Sequence, residues 1–269
     1  MISVGGEVLA TATGFLSTAE RPPDIPSPHG ITVEPGQRLQ CAMLVTNRHV
    51  LTGRNNDTGQ PLDGRTGGTP ELVEIWHQGR PIGRQSLYCE QGRAMWVEHP
   101  DLGPRVDVVG LAMNQPAIHI RPYDPPDMVP ESARHESLQM RVVVGDDLFV
   151  VGFPFGAQDK KGSPIWTRAS AATEPEEHYD DLPRFLVDAR TRTGQSGSPV
   201  VAVRRSDRAW IDPDGQAMAG PGVRFLGVYS GRINDEADLG YVWTKQCVGE
   251  VTARGVRGSI DRHGHTVAD

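Results

Sequence analysis

Glycine and proline punctuate this chain so often that many turns are expected between its regular elements. Its 269 residues include 31 Gly and 22 Pro, about a fifth of the chain where about 12% is usual. Both residues weaken or end regular elements, Gly through backbone freedom and Pro through its missing N–H. The excess is spread along the sequence and predicts many turns. Between the turns lie short β-like runs: Glu7–Phe15, Ala42–Thr46, Leu72–Trp76, Val106–Ala112, Leu148–Gly152, Phe185–Asp188, Val200–Val203 and Arg224–Tyr229. They mix alternation with brief continuous apolar stretches, the pattern of strands in a closed barrel or sandwich. Helical periodicity is confined to Tyr241–Ala253, where Val242, Val248 and Val251 approach one face. A parallel α/β fold needs a helix between most strands, so the chain is predicted to be all-β.

Three segments break the strand pattern. Arg21–Arg38 and Gly53–Pro70 read as long surface loops. Gln115–Pro130 carries Pro116, Pro122, Pro125, Pro126 and Pro130, and proline cannot donate to a ladder, so a central strand is excluded there. That stretch marks the expected boundary between two all-β halves. The net charge of −7 and pI near 5.7 disfavour a nucleic-acid partner. No run reaches the ~18 apolar residues of a membrane span, and the first twenty residues hold no Lys or Arg for a signal peptide. Three cysteines, Cys41, Cys89 and Cys247, make no disulfide framework. The expectation is a cytoplasmic protein with reduced thiols.

Chemistry concentrates in three places. Thr193-Gly194-Gln195-Ser196-Gly197-Ser198-Pro199 sets a serine between glycines, which exposes a hydroxyl on a tight turn with backbone N–H groups facing the same space. Leu44-Val45-Thr46-Asn47-Arg48-His49-Val50 ends an apolar run on a histidine. Val106-Asp107-Val108-Val109-Gly110-Leu111 buries a carboxylate inside an expected strand, where a lone charge would cost several kcal/mol. A histidine N–H is a suitable partner for it.

Taken in order, His49, Asp107 and Ser196 resemble the triad of the trypsin-like (chymotrypsin-fold) serine peptidases. The resemblance is nearest to the disulfide-free bacterial branch that includes the HtrA-type protease domain. Gly14-Phe15-Leu16 is similar to that family's opening strand, Thr46–Val50 to its histidine motif and Asp107–Leu111 to its aspartate strand. Val144–Asp147 and Gly152–Gly156 resemble the start of its second barrel. Phe185–Asp188 and Gly194–Pro199 resemble the nucleophile region, and Gly227–Gly231 the strand lining the substrate.

The resemblance implies two six-stranded antiparallel β-barrels and a short C-terminal helix. Residues 1–114 would form the barrel carrying His49 and Asp107, and 115–134 a Pro-rich linker. Residues 135–255 would form the barrel carrying Ser196, with a tail over 256–269. It implies a serine endopeptidase acting on protein or peptide, with no cofactor, no metal and no membrane partner. His49 would be the general base, Asp107 its orienting partner, and the N–H groups of Gly194 and Ser196 the oxyanion hole. Tyr229, Ser230 and Gly231 would supply a substrate edge.

Six residues before the serine, Arg190 falls at the expected base of the specificity pocket, where it would favour an acidic substrate side chain. The competing reading turns Arg190 outward or pairs it with Asp188 or Asp181. Gln195 stands where many secreted relatives carry the Asp that captures a newly cut N-terminus, so activation by clipping is not expected. The alternative function is a latent or catalytically silent module of this fold that binds a protein partner or awaits an activating one. His263-Gly264-His265 lacks the further ligands of a metal site. Gly194-Gln195-Ser196-Gly197-Ser198 also fails the Gly-x-Ser-x-Gly pattern of the nucleophile elbow. No peptide-sensing extension of the HtrA kind is expected after the helix.

Overall fold

Period-two burial organises the C-terminal half. In the computed structural model the described residues are 2–4, 7–22, 24–26, 40–62, 68–114, 140–204, 209–211, 215–219, 222–234 and 236–267. The first half contributes β1 (Ile2–Val4), β2 (Glu7–Ala10), β3 (Phe15–Glu20), β4 (Gln40–Thr46), helix α1 (Arg48–Thr52), β5 (Leu72–His77), β6 (Arg80–Ser86), β7 (Trp96–Glu98) and β8 (Val109–Ala112). The second contributes β9 (Asp147–Gly152), β10 (Ile165–Ala171), β11 (Arg184–Asp188), β12 (Pro199–Arg204), β13 (Ala209–Ile211), β14 (Ala217–Ala219), β15 (Gly222–Arg232), β16 (Leu239–Thr244), helix α2 (Lys245–Arg254) and β17 (Val256–Arg257). The expected linker, 115–134, lies outside the described residues.

Strands β10-β11-β16-β15-β12-β9 close a six-stranded antiparallel barrel. Alternate residues fill it: Leu148 and Val150, Phe185 and Val187, Val200 and Ala202, with Tyr229 and Val242. The first half is built otherwise. Its described strands form a four-stranded sheet, β2-β1-β5-β6, and, with β17 added from the C-terminal half, a five-stranded sheet, β17-β7-β8-β4-β3, so a second closed barrel is not seen among the described residues. β5 uses its free edge on β1, which leaves no ladder from it to the other sheet. A side chain bridges the two sheets instead. Buried Gln85 of β6 donates from Nε2 to the Ala112 carbonyl (2.8 Å) and accepts from the Asn114 N–H (2.9 Å).

The C-terminal helix is present but starts later than the periodicity suggested. Tyr241–Thr244 belong to β16, paired with β11 and β15, because aromatic and β-branched residues suit a half-buried pleat. Thr244 then caps α2 by accepting from the Cys247 N–H. Cys247, Val248 and Val251 face a core shared with Trp96, Leu111, Phe225 and Trp243, which joins the two halves. The segment after α2 is no free tail. β17 pairs with β7, and Ser259 donates to Glu98 (2.8 Å), which also takes the Arg48 Nε (2.9 Å) and the Trp96 indole N–H. That buried ion pair fixes α1, the helix that carries His49, against β7.

Candidate active site

β4 delivers His49 at the first turn of α1, and the approach to β8 delivers Asp107. Asp107 lies two residues before β8 rather than inside a strand, so its backbone is free of the ladder. Both serve His49: Oδ1 accepts from the His49 backbone N–H (2.8 Å), and Oδ2 meets ring Nδ1 at 2.6 Å. Asn47 donates to the Asp107 carbonyl (2.7 Å) and holds the same segment. The carboxylate is buried, so its partner is fixed as well as its place. Burial works against the imidazolium, but the charge and hydrogen bond of Asp107 outweigh it, and His49 ionises above the ordinary histidine value.

The nucleophile turn follows β11. Gly194 has φ +95° and Gly197 φ +84°, conformations an L side chain avoids, and a Cβ at Gly194 would run into the Phe153 carbonyl. The peptide units here point in a defined sense. The Thr193 carbonyl accepts from the Phe155 N–H (2.7 Å), the Gly194 carbonyl from Thr13 Oγ1 (2.7 Å) and the Ser196 carbonyl from the Thr13 N–H (2.9 Å). In a trans peptide the N–H opposes the C=O, so anchoring the Thr193 carbonyl turns the Gly194 N–H the other way. Among the described residues the N–H groups of Gly194 and Ser196 have no acceptor, and the half-buried Ser196 hydroxyl makes no hydrogen bond. Phe155, which anchors Thr193, itself sits at φ +54°, a strained backbone of the kind held at functional sites.

Thr13 and Gln195, to which the sequence assigns no part in the site, hold this turn. Thr13, before β3, bonds to Gly194 and Ser196 as above, receives the Phe153 N–H (3.1 Å), and offers its carbonyl to Thr46 of β4 (2.8 Å). It thereby ties the serine turn to the strand that ends at His49. Gln195, wholly buried, accepts the Arg192 N–H (2.8 Å) on Oε1 and donates to Thr167 Oγ1 (3.0 Å). Thr13 sits in an ordinary mixed run, Val8–Leu16, with nothing at its own position to mark a contact with the serine turn. Gln195 was visible only as a departure from the family's Asp.

Two substrate-side expectations need correction. Arg190 is not at the base of a pocket: its side chain is 82% exposed and pairs loosely with Asp238 (3.5 Å). The alternation of β11 continues past its end, so Ala189 and Thr191 point inward and Arg190 outward. Tyr229 is no open edge either. Its N–H goes to the Ser198 carbonyl and its carbonyl to the Gly197 N–H, both 2.9 Å, while its ring turns into the barrel core. Ser230 accepts from the Trp243 indole (3.2 Å), and the ladder to β16 slips between Tyr229 and Gly231. Among the described residues there is no group of three or more metal-ligating side chains, and no helix long and apolar enough to cross a membrane.

The chain thus combines a closed antiparallel barrel, a histidine held by a buried carboxylate and a glycine-framed serine turn. The model of the trypsin-like peptidase domain matches residues 29–206, and the chain belongs to that family. Among solved structures it is similar to the Rv3671c protease of M. tuberculosis in its active form. That match has 18% identity over 92% of this chain and 84% of that one, with a TM-score of 0.41. The inactive form of the same protease matches at 21% identity over 78% and 81%, TM-score 0.38. The protease Anisep of Arthrobacter nicotinovorans matches at 12% identity over 90% and 95%, TM-score 0.39. None of the curated proteins matches the chain.

Proposed function

We propose that the chain is a serine endopeptidase working through His49, Asp107 and Ser196 and an acyl-enzyme. The observation that carries the reading is the double grip of Asp107 on His49. With Nδ1–H donated to the carboxylate, Nε2 keeps the lone pair a general base requires. As Ser196 Oγ adds to the substrate carbonyl carbon, Nε2 takes its proton. The C–N bond then breaks, and the same proton passes to the leaving amine. Water repeats the sequence on the acyl-enzyme. The oxyanion accepts from the N–H groups of Gly194 and Ser196, each worth about 3–4 kcal/mol in the transition state. In this reading the two N-terminal sheets stand for the family's first barrel and the closed barrel for its second, joined through 115–134.

The geometry favours an enzyme over a latent module. A carbonyl swung into the hole would block it, and the Thr193 carbonyl is instead held by Phe155. Incubation with an unfolded protein such as reduced casein tests the proposal. The wild type fragments it and Ser196→Ala does not; equal fragmentation by both would overturn Ser196 as nucleophile.

A further inference from the structure

We propose that Tyr229 plugs the pocket for the side chain preceding the scissile bond, so that this enzyme cleaves after small residues: Gly, Ala or Ser. The inference rests on the peptidase reading and adds the substrate class to it. With the substrate carbonyl over Ser196 and between the N–H groups of Gly194 and Ser196, the adjoining side chain is placed in this proposal between the 189–192 segment, which leads to the turn, and β15, whose Tyr229 bonds to Gly197 and Ser198.

That space is filled. Ala189, Thr191 and Tyr229 are each 2% exposed. The Tyr229 ring shares the barrel core with Ala189, Leu226 and Val242, and its hydroxyl is hydrogen-bonded to Thr191 Oγ1. The opposite wall is Gly240, where a Cβ would stand 2.5 Å from the ring and 2.8 Å from the hydroxyl. The phenol therefore bridges one wall to the other, and glycine is what the second wall can hold. Burial pushes the Tyr229 phenol up, so it stays neutral and keeps its bond to Thr191. The two charged residues of this segment stay outside: Arg190 lies with Asp238, and Arg192 is exposed, its guanidinium on the Thr191 carbonyl (2.8 Å). A large incoming side chain would have to expel the ring and strand the Thr191 hydroxyl. A methyl or hydroxymethyl group needs no such movement.

Digestion of a random peptide library by the wild type, read by mass spectrometry, gives the preference without any variant. Matched peptide anilides with Ala or Phe before the bond give the ratio. The wild type should favour Ala over Phe by at least about tenfold in kcat/KM. Tyr229→Phe keeps the ring and should keep that preference. Tyr229→Ala should gain at least about tenfold on the Phe substrate. Wild-type cleavage after Phe, Leu or Lys as fast as after Ala would overturn the plug. So would an unchanged preference in folded Tyr229→Ala. Labelling of Ser196 by a small fluorophosphonate separates the two levels. Labelling with the wrong preference overturns the plug alone; no labelling and no cleavage overturns the peptidase reading and the plug with it.

Discussion

Gln195→Met keeps the volume of a wholly buried side chain and removes its two polar contacts. The wild-type amide accepts the Arg192 N–H at 2.8 Å and donates to Thr167 Oγ1 at 3.0 Å. Thr167 is half-buried and Arg192 exposed, so water can reach part of what the amide leaves. Two ordinary hydrogen bonds then cost about 2 kcal/mol in stability. For a chain this long that is about 4–8 °C in thermal midpoint. The catalytic effect should be larger than the stability effect suggests. Gln195 sits between Gly194 and Ser196, and its side chain fixes the turn that aims both N–H groups. Losing the alignment of one donor costs about 10²–10³ in kcat. KM should hardly move, because the ground-state carbonyl leans little on those donors. Steady-state kinetics on the folded variant, together with the affinity of a peptide aldehyde that mimics the tetrahedral state, measures this. Aldehyde binding should weaken in step with kcat. A variant with kcat within twofold of wild type, or one whose loss lies wholly in KM, would refute a positioning role for Gln195.

Because Asp107 raises the His49 pKa, kcat/KM should climb with pH through a midpoint above that of free histidine, as Nε2 loses its proton. Asp107→Asn should lower kcat by about 10⁴ and move that midpoint down; a loss under tenfold would make Asp107 structural. The same shift has a stability sign. The protonated pair adds stability below the unfolded histidine pKa, and that increment is lost as pH rises through the folded one. Thermal midpoints of wild type against Asp107→Asn across this window should converge at high pH. Glu98→Ala leaves Arg48 buried without its carboxylate and should cost about 3–5 kcal/mol, read as a lower urea midpoint. A change under about 1 kcal/mol would mean that water reaches Arg48 freely.

What could be read from residue order was the chemistry tied to local signals. The glycines around Ser196 demand a turn, and a carboxylate among valines at Asp107 demands a partner. Parity defeated the reading of Arg190. A shift of one residue along a strand exchanges inside for outside, and spacing from Ser196 alone does not say which side position 190 takes. The sequence expectation for Tyr229 rests on its backbone, while its ring is placed by Thr191 and Gly240 across the barrel. The polar strand β6 has no alternation to reveal it, and Gln85 shows its use only once Ala112 and Asn114 are beside it. Tyr241–Thr244 could serve a helix or a strand by apolar spacing, and pairing with both β11 and β15 decided for the strand. Thr13 lies 181 residues from Gly194, and no pattern within its own segment announces that contact.

In the proposed mechanism Ser196 is a nucleophile activated by His49 beside a preformed oxyanion hole. Intact-mass analysis of the purified protein after treatment with diisopropyl fluorophosphate is the decisive test, because phosphorylation of Oγ, with loss of fluoride, needs the hydroxyl, the base and the hole together. One adduct per chain, mapped to Ser196, absent from Ser196→Ala and slowed in Asp107→Asn, is the expected result. An unmodified wild type, or an adduct that persists in Ser196→Ala, would contradict it.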